Sequence, residues 1–331
     1  MTTMKSLLSS TSLVPAPVRT WLLPALLCLN AAIIAIVQFP ARASFASQEP
    51  ITPVRAELGQ DPRRVALGMH LFHNARLSRG AQRSCASCHD TWTNGASAVA
   101  RDMSPDGVPL AFNTPTVFNA AKNFRFNWRG SSRSLEDQVW LSLQSRDAMA
   151  TNEDEILASL RGDREMARQF RDAYRRAPQL VDVLDAIAAY IRSLSTPDSR
   201  FDRWLAGDSS AMTQLETTGY QLFKSLGCVS CHQGANVGGN LFQRSGIFRQ
   251  LSVSQPGVLR VPSLRNVATT APYFHDGSAA TLADAVREMA LAQLDRELTE
   301  EQTAAIVAFL QTLTGSYRGL PIVAPAPAKP P

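Results

Sequence analysis

Three observations predict a mainly α chain built from two tandem, related halves. Apolar residues recur at helical spacing behind helix-start signals. Short stretches repeat in the same order along both halves, and each half holds one Cys-x-x-Cys-His sequence. With 331 residues, 45% of them apolar and 18% charged, the chain can bury two cores and is neither disordered nor collagen-like. Thirty-three basic and 28 acidic side chains leave a net +5. Three of the basic ones, Lys5, Arg19 and Arg42, lie in residues 1–43, so the remainder bears only +2. So small a charge, with no basic run interleaved with aromatics, excludes nucleic acid as the expected partner.

The first element is an export segment. Lys5 and Arg19 precede an apolar stretch at 21–39, and Ala41-Arg42-Ala43 follows as a small-residue cleavage site. Residues 1–43 therefore read as a signal peptide, with an uncleaved N-terminal anchor as the alternative that such a length allows. Pro24 and Asn30 interrupt the stretch, and Leu27 before Cys28 is not the small residue of a lipid-attachment site. The expected location is the periplasm.

A repeat organises the rest of the chain. Gly68-Met69-His70-Leu71-Phe72 and Gly219-Tyr220-Gln221-Leu222-Phe223 precede the two cysteine motifs. Pro115-Thr116-Val117-Phe118-Asn119, Trp128-Arg129-Gly130 and Leu135-Glu136-Asp137-Gln138-Val139 follow the first. Pro262-Ser263-Leu264-Arg265-Asn266, His275-Asp276-Gly277 and Leu282-Ala283-Asp284-Ala285-Val286 follow the second at matching offsets. Each half closes on a similar helix, at Ile187-Ala188-Ala189-Tyr190-Ile191 and Ile306-Val307-Ala308-Phe309-Leu310. Domains are expected at 55–207 and 211–319, with 320–331 a disordered Pro-rich tail. Asn152-x-x-Glu155 and Thr299-x-x-Gln302 read as capping boxes, and Thr281 as the cap of a helix whose Leu282, Val286 and Met289 share one face. The stretches around the cysteines lack either periodicity, as expected where a prosthetic group replaces side-chain core.

The mature cysteines are Cys85, Cys88, Cys228 and Cys231, followed by His89 and His232. Cys-x-x-Cys-His is the attachment signature of c-type haem. Two thiols one turn apart add to the porphyrin vinyl groups, and the next residue sets an imidazole under the iron. A disulfide, a redox dithiol or a zinc site are the alternatives, but only His70, His73 and His275 remain as further imidazoles. Two such motifs, using every mature cysteine, imply two cytochrome c-like domains with one covalent haem each. Met289 either ligates the second iron from the far side or fills core. No histidine occurs between His89 and His232, so the first iron is expected to keep an open face able to bind peroxide.

Together these stretches resemble the bacterial di-haem cytochrome c peroxidase and MauG superfamily over residues 62–315. The resemblance rests on Asn113-Thr114-Pro115-Thr116-Val117, Trp128, Leu135-Glu136-Asp137-Gln138, Pro197-Asp198-Ser199-Arg200-Phe201-Asp202 and Ala271-Pro272-Tyr273-Phe274-His275-Asp276-Gly277. It implies a peroxide-reactive first haem and an electron-relay second haem, with His89 and His232 as proximal ligands and Met289 as the relay's distal ligand. It further implies Trp128 between the haems, Gln138 in the peroxide pocket, and His275 near the haem interface. A calcium ion is implied at Asn113 with the carbonyls of Thr270 and Pro272.

Two departures stand out. The peroxidases carry a removable histidine in the loop matching residues 90–112; here there is none, and Pro105 stands near its place. The pocket glutamate is replaced by Ala148, with Asp147 beside it as a substitute proton carrier. The missing histidine resembles MauG and the di-haem enzyme of methanobactin clusters, which oxidise a side chain of a partner protein. The retained Met289 departs from MauG. The expected activity is peroxide-driven oxidation of a partner protein. Peroxide reduction with electrons from a small redox protein, or mere electron carriage, are the alternatives.

Overall fold

The computed structural model describes residues 49–57, 59–251 and 257–326. The export segment at 1–43 and the last five residues of the expected tail lie outside them. Among the described residues no helix is long and apolar enough to cross a membrane. The architecture is mainly α, with nine helices among the described residues. They are α1 (Pro62–Phe72), α2 (Leu135–Gln144), α3 (Glu153–Gly162), α4 (Arg164–Tyr174), α5 (Leu180–Ser193), α6 (Arg200–Leu205), α7 (Gln214–Ser225), α8 (Leu282–Leu294) and α9 (Glu300–Gln311). Two small antiparallel pairs complete it: β1 (Phe242–Arg244) with β2 (Val258–Arg260), and β3 (Ser316–Tyr317) with β4 (Leu320–Pro321).

Each half is organised by one helix crossing, α1 on α5 and α7 on α9. The repeated glycine explains the closeness of both. A Cβ on Gly68 would collide with the carbonyl of Ala186, and one on Gly219 with that of Ala305. Only a residue without a side chain lets the backbones meet there. Around these crossings lie two separate cores, one with Leu71, Phe118, Phe170 and Ile187, the other with Phe201, Tyr220, Phe309 and Leu313.

Helix starts follow the sequence. Thr281 accepts the amide of Asp284, and Thr299 with Gln302 forms a reciprocal capping box. Asn152 caps α3 through the Glu155 amide, but the Glu155 carboxylate turns to Thr151 instead of closing the box.

The first and last described segments cross over, so each core draws on a residue outside its expected domain limits. Ile51 is fully buried in the second core. Its strap is tied there by Gly234 N–H to Pro50 O (2.8 Å), Val54 N–H to Asp202 Oδ1 (3.2 Å) and Arg265 Nη2 to Thr52 O (2.9 Å). At the other end Ile322 is buried in the first core, and Tyr317 packs edge-on against Phe118. The stretch expected as a disordered tail from 320 thus begins as β4 and a buried anchor. Hydrophobic burial of a single isoleucine outweighed the proline-rich composition around it.

Candidate haem sites and the ground between them

The two cysteine motifs fold alike. Cys85–Ser87 and Cys228–Ser230 are single 3-10 turns, and the amides of His89 and His232 donate to the carbonyls of Cys85 (2.9 Å) and Cys228 (3.0 Å). Each imidazole is then oriented by its Nδ1, which donates to Gly95 O or Val237 O, both at 3.2 Å. That bond fixes the tautomer and leaves Nε2 with its lone pair free for iron. Burial pulls the His232 pKa down to about 4 and lowers that of His89, so both rings are neutral, the ligating form.

The alternative uses of the cysteines fail on chemistry. Burial pushes the Cys85 thiol up to about 12 and those of Cys88 and Cys228 up to about 11. A redox dithiol needs a depressed thiol. None of the four forms a disulfide, and among the described residues no cluster of three or more His, Cys, Asp or Glu could hold a metal.

Beside His232 lies a cavity of about 260 Å³. Cys228 and Cys231 line one side, and Leu282, Val286 and Met289 line another. The apolar stripe of α8 therefore faces this space. Two buried polar atoms without a partner, His275 Nε2 and Gln293 Oε1, belong to residues of the same wall. Two thiols, a neutral imidazole and a thioether around a mostly apolar void with spare polar groups fit a covalent haem, which Cys228, Cys231 and His232 would hold and toward which Met289 could offer its sulfur.

The first half diverges at the corresponding place. Leu135 and Leu282 are equivalent in the repeat and open α2 and α8; seven residues on stand Ser142 and Met289. Ser142 Oγ donates to Gln138 O (3.0 Å) and accepts from Gln138 Nε2 (3.1 Å). A serine is too short to ligate. Carrying the repeat register through the helix was the signal that locates this exchange. Gln138 Oε1 accepts in turn from Asn127 (3.0 Å), so the side chain ties the Trp128 loop to α2. Asp147 sits on an exposed turn, and among the described residues no hydrogen bond joins it to Gln138; Ala148 packs at the edge of the first core.

The loop at 90–112 closes on itself. Gly107 N–H donates to Ser104 O (3.0 Å) and Ser104 N–H to Val108 O (2.8 Å), with Pro105 exposed at the tip. Ser-Pro-Asp-Gly is well suited to such a turn, with proline second and glycine fourth. Asp102 anchors the loop, accepting from Ser97 and Thr114.

Between the halves the repeat forms a reciprocal clasp. Asn113 N–H donates to His275 O, and its repeat-equivalent Arg260 donates N–H to Trp128 O, both at 2.8 Å. Trp128 and His275, themselves equivalent, meet edge-on with ring centres 6.3 Å apart. Trp128 is buried, and its Nε1 donates to Asn113 O (2.8 Å). Asn113 spends its amide nitrogen on Val99 O (3.2 Å) and Ala100 O (3.1 Å), leaving Oδ1 as its remaining side-chain acceptor. Asn113, Thr270 and Pro272 all line the cavity wall on this side. Burial lowers the pKa of His275, keeping it neutral.

Two Cys-x-x-Cys-His sites, each with a carbonyl-held imidazole on one of two duplicated helical halves, define a di-haem c-type cytochrome. Residues 62–210 match the family described as di-haem cytochrome c peroxidase, and residues 217–314 match cytochrome c. Over 308 residues the chain is 35% identical to cytochrome c551 peroxidase of Nitrosomonas europaea, an alignment covering 87% of this chain and 91% of that protein. Over 279 residues it is 31% identical to methylamine utilization protein MauG of Methylorubrum extorquens, covering 76% and 78%. A solved MauG-like protein associated with microbial copper homeostasis shares the fold. Its TM-score is 0.70 at 24% identity, covering 81% of this chain and 94% of that one. The chain belongs to the di-haem cytochrome c peroxidase and MauG family, and is a peroxidase with two c-type haems.

Proposed function

We propose that the enzyme is exported to the periplasm and takes hydrogen peroxide at an open first haem. The oxidising equivalents then pass by way of Trp128 to the second haem and oxidise a side chain, such as tryptophan, of a partner protein. The observation that carries this reading is the self-closed turn at 104–107, which presents an exposed Pro105 near the place where the resemblance to the peroxidases implies a removable histidine. Bound haem supplies the iron that takes peroxide and stores oxidising equivalents. The remaining work falls to the chain. His89 and His232 offer Nε2 while a backbone carbonyl holds Nδ1. Met289 closes the far side of the second site with a soft sulfur that favours electron relay, and Trp128 bridges the halves with a buried indole. Gln138 holds water or peroxide at the first site, with Asp147, beside the Ala148 that takes the place of the pocket glutamate, to move a proton. Peroxide accepts two electrons and two protons and leaves as two waters.

Calcium is part of the proposal. Asn113 Oδ1 and the carbonyls of Thr270 and Pro272 are hard oxygen donors of the kind calcium selects. Chelation is expected to release one calcium per chain and lower peroxide turnover, and added calcium to restore it; full activity after complete removal would discard the site.

A second reading, peroxide reduction with electrons from a small redox protein, is favoured by the Nitrosomonas relative, a cytochrome c551 peroxidase. Adding peroxide to the fully oxidised protein separates the two. An immediate change in the haem spectrum supports the ungated oxidant; an inert protein that reacts only after partial reduction supports the gated peroxidase. Two fully low-spin ferric haems at rest, with no reaction toward peroxide even after partial reduction, would instead indicate an electron carrier.

A further inference from the structure

We propose that Trp92 is a second outlet for oxidising equivalents, fed from the proximal side of the first haem through Tyr190. Trp92 is 76% exposed, the most exposed large apolar side chain among the described residues. A series of rings joins it to the proximal ligand. The ring of Phe72 lies 6.4 Å from that of His89 and 5.3 Å from that of Tyr190, centre to centre. Tyr190 lies 6.3 Å from His73, and His73 lies 6.1 Å from Trp92. No gap in the series exceeds a contact between neighbouring rings. This route starts at His89 and does not pass through Trp128.

Tyr190 is equipped to lose an electron as well as to conduct. Its ring is buried, and its hydroxyl lies 3.0 Å from Thr91 Oγ1, which lies 3.5 Å from His73 Nε2. His73 Nδ1 donates to Met69 O (2.9 Å), so Nε2 is the basic nitrogen that faces Thr91. A phenol that gives up an electron must also shed its proton, and this relay receives it and returns it when the ring is reduced again. Buried tyrosine is costly to ionise beforehand, since desolvation raises its pKa.

The duplicated half lacks this outlet. Its equivalents of His73, Trp92 and Tyr190 are Lys224, Ala235 and Phe309. The ring series there runs from Phe223 through Phe309 and Tyr220 to Trp204, which is only half exposed, and the Tyr220 hydroxyl is held by the Glu49 carboxylate. Trp204 therefore serves as an internal control.

The chemistry balances with peroxide as the oxidant, and it rests on the peroxidase activity proposed above. Trp92 loses one electron inward and its indole proton to solvent, giving a surface radical that an aromatic donor can reduce. With no donor present a second electron and proton leave, and a water oxygen bonds to the indole carbon as its C–H bond breaks. One peroxide O–O bond is cleaved, and the two electrons and two protons complete two waters.

The test treats the haem-loaded enzyme with peroxide in the absence of donor and maps modification by peptide mass spectrometry. The Trp92 peptide is expected to gain the mass of one oxygen in step with added peroxide, well ahead of the Trp204 peptide. Tyr190→Phe should lower the Trp92 product several-fold, with haem content and Trp204 unchanged. Trp92→Phe, a change at an exposed site, should lower the peroxide dose that bleaches the haem. An unmodified Trp92, or equal modification in wild type and Tyr190→Phe, overturns the proposal. Should the fully oxidised enzyme prove inert, the same mapping is made after partial reduction. Failure of the open-site reading and failure of the Trp92 outlet are then separate results.

Discussion

The two halves use the same scaffold and differ where iron would be saturated or left open. Both have a glycine-seated helix crossing, a Cys-x-x-Cys-His turn and a carbonyl-anchored imidazole. Asn119 and Asn266, equivalent in the repeat, share the Thr196 hydroxyl between the halves. The cavity-facing stripe of α8 includes Met289, whereas α2 has Ser142 at that place and commits it to Gln138. What this teaches is that the duplication kept the means of seating a haem in both halves while the side chains around the two seats diverged.

The comparison can be broken at several points. The crossed termini are the most costly to disturb. Ile322→Ala removes a buried anchor from the first core and should destabilise the protein by about 3 kcal/mol, read as a lower denaturation midpoint; an unchanged midpoint would mean that the first half does not use that anchor. Ser142→Met sharpens the contrast directly. If the thioether reaches iron it must leave before peroxide binds, so reaction of the oxidised enzyme should slow by about a hundredfold. The absorption band of a sulfur-ligated low-spin haem should double. Unaltered kinetics and spectrum would show that the two helices do not present this position alike. Gly219→Ala should cost about 2 kcal/mol by overpacking, and Gly68→Ala about as much, each measured by denaturant titration. A Gly68→Ala protein with unchanged stability would show the crossings to be unlike.

The smallest effect is a control. The Arg168 guanidinium holds the Glu165 carboxyl down to about 2, but this pair is fully exposed. Removing it with Glu165→Gln should leave the melting temperature within error at moderate salt, because solvent screens such pairs. A clear loss would give α4 a role that its exposure does not suggest.

Much of this protein is written in local pattern. Two Cys-x-x-Cys-His motifs, a repeated Gly-x-x-Leu-Phe, and Thr caps three residues ahead of their partners set haem number, helix starts and the duplicated plan, because each depends on spacing within one or two turns. Helical spacing left Met289 as ligand or core; family resemblance favoured the ligand and implied roles for Trp128 and Asn113 that no spacing argument reaches. Tertiary structure alone decided which core receives Ile51 and Ile322, that Trp128 meets His275, and that a series of ring contacts joins Tyr190 and Trp92 to His89. These are contacts between residues far apart in the chain. Their outcome depends on burying apolar surface and pairing polar groups across the whole molecule, and composition near either partner says nothing of the other.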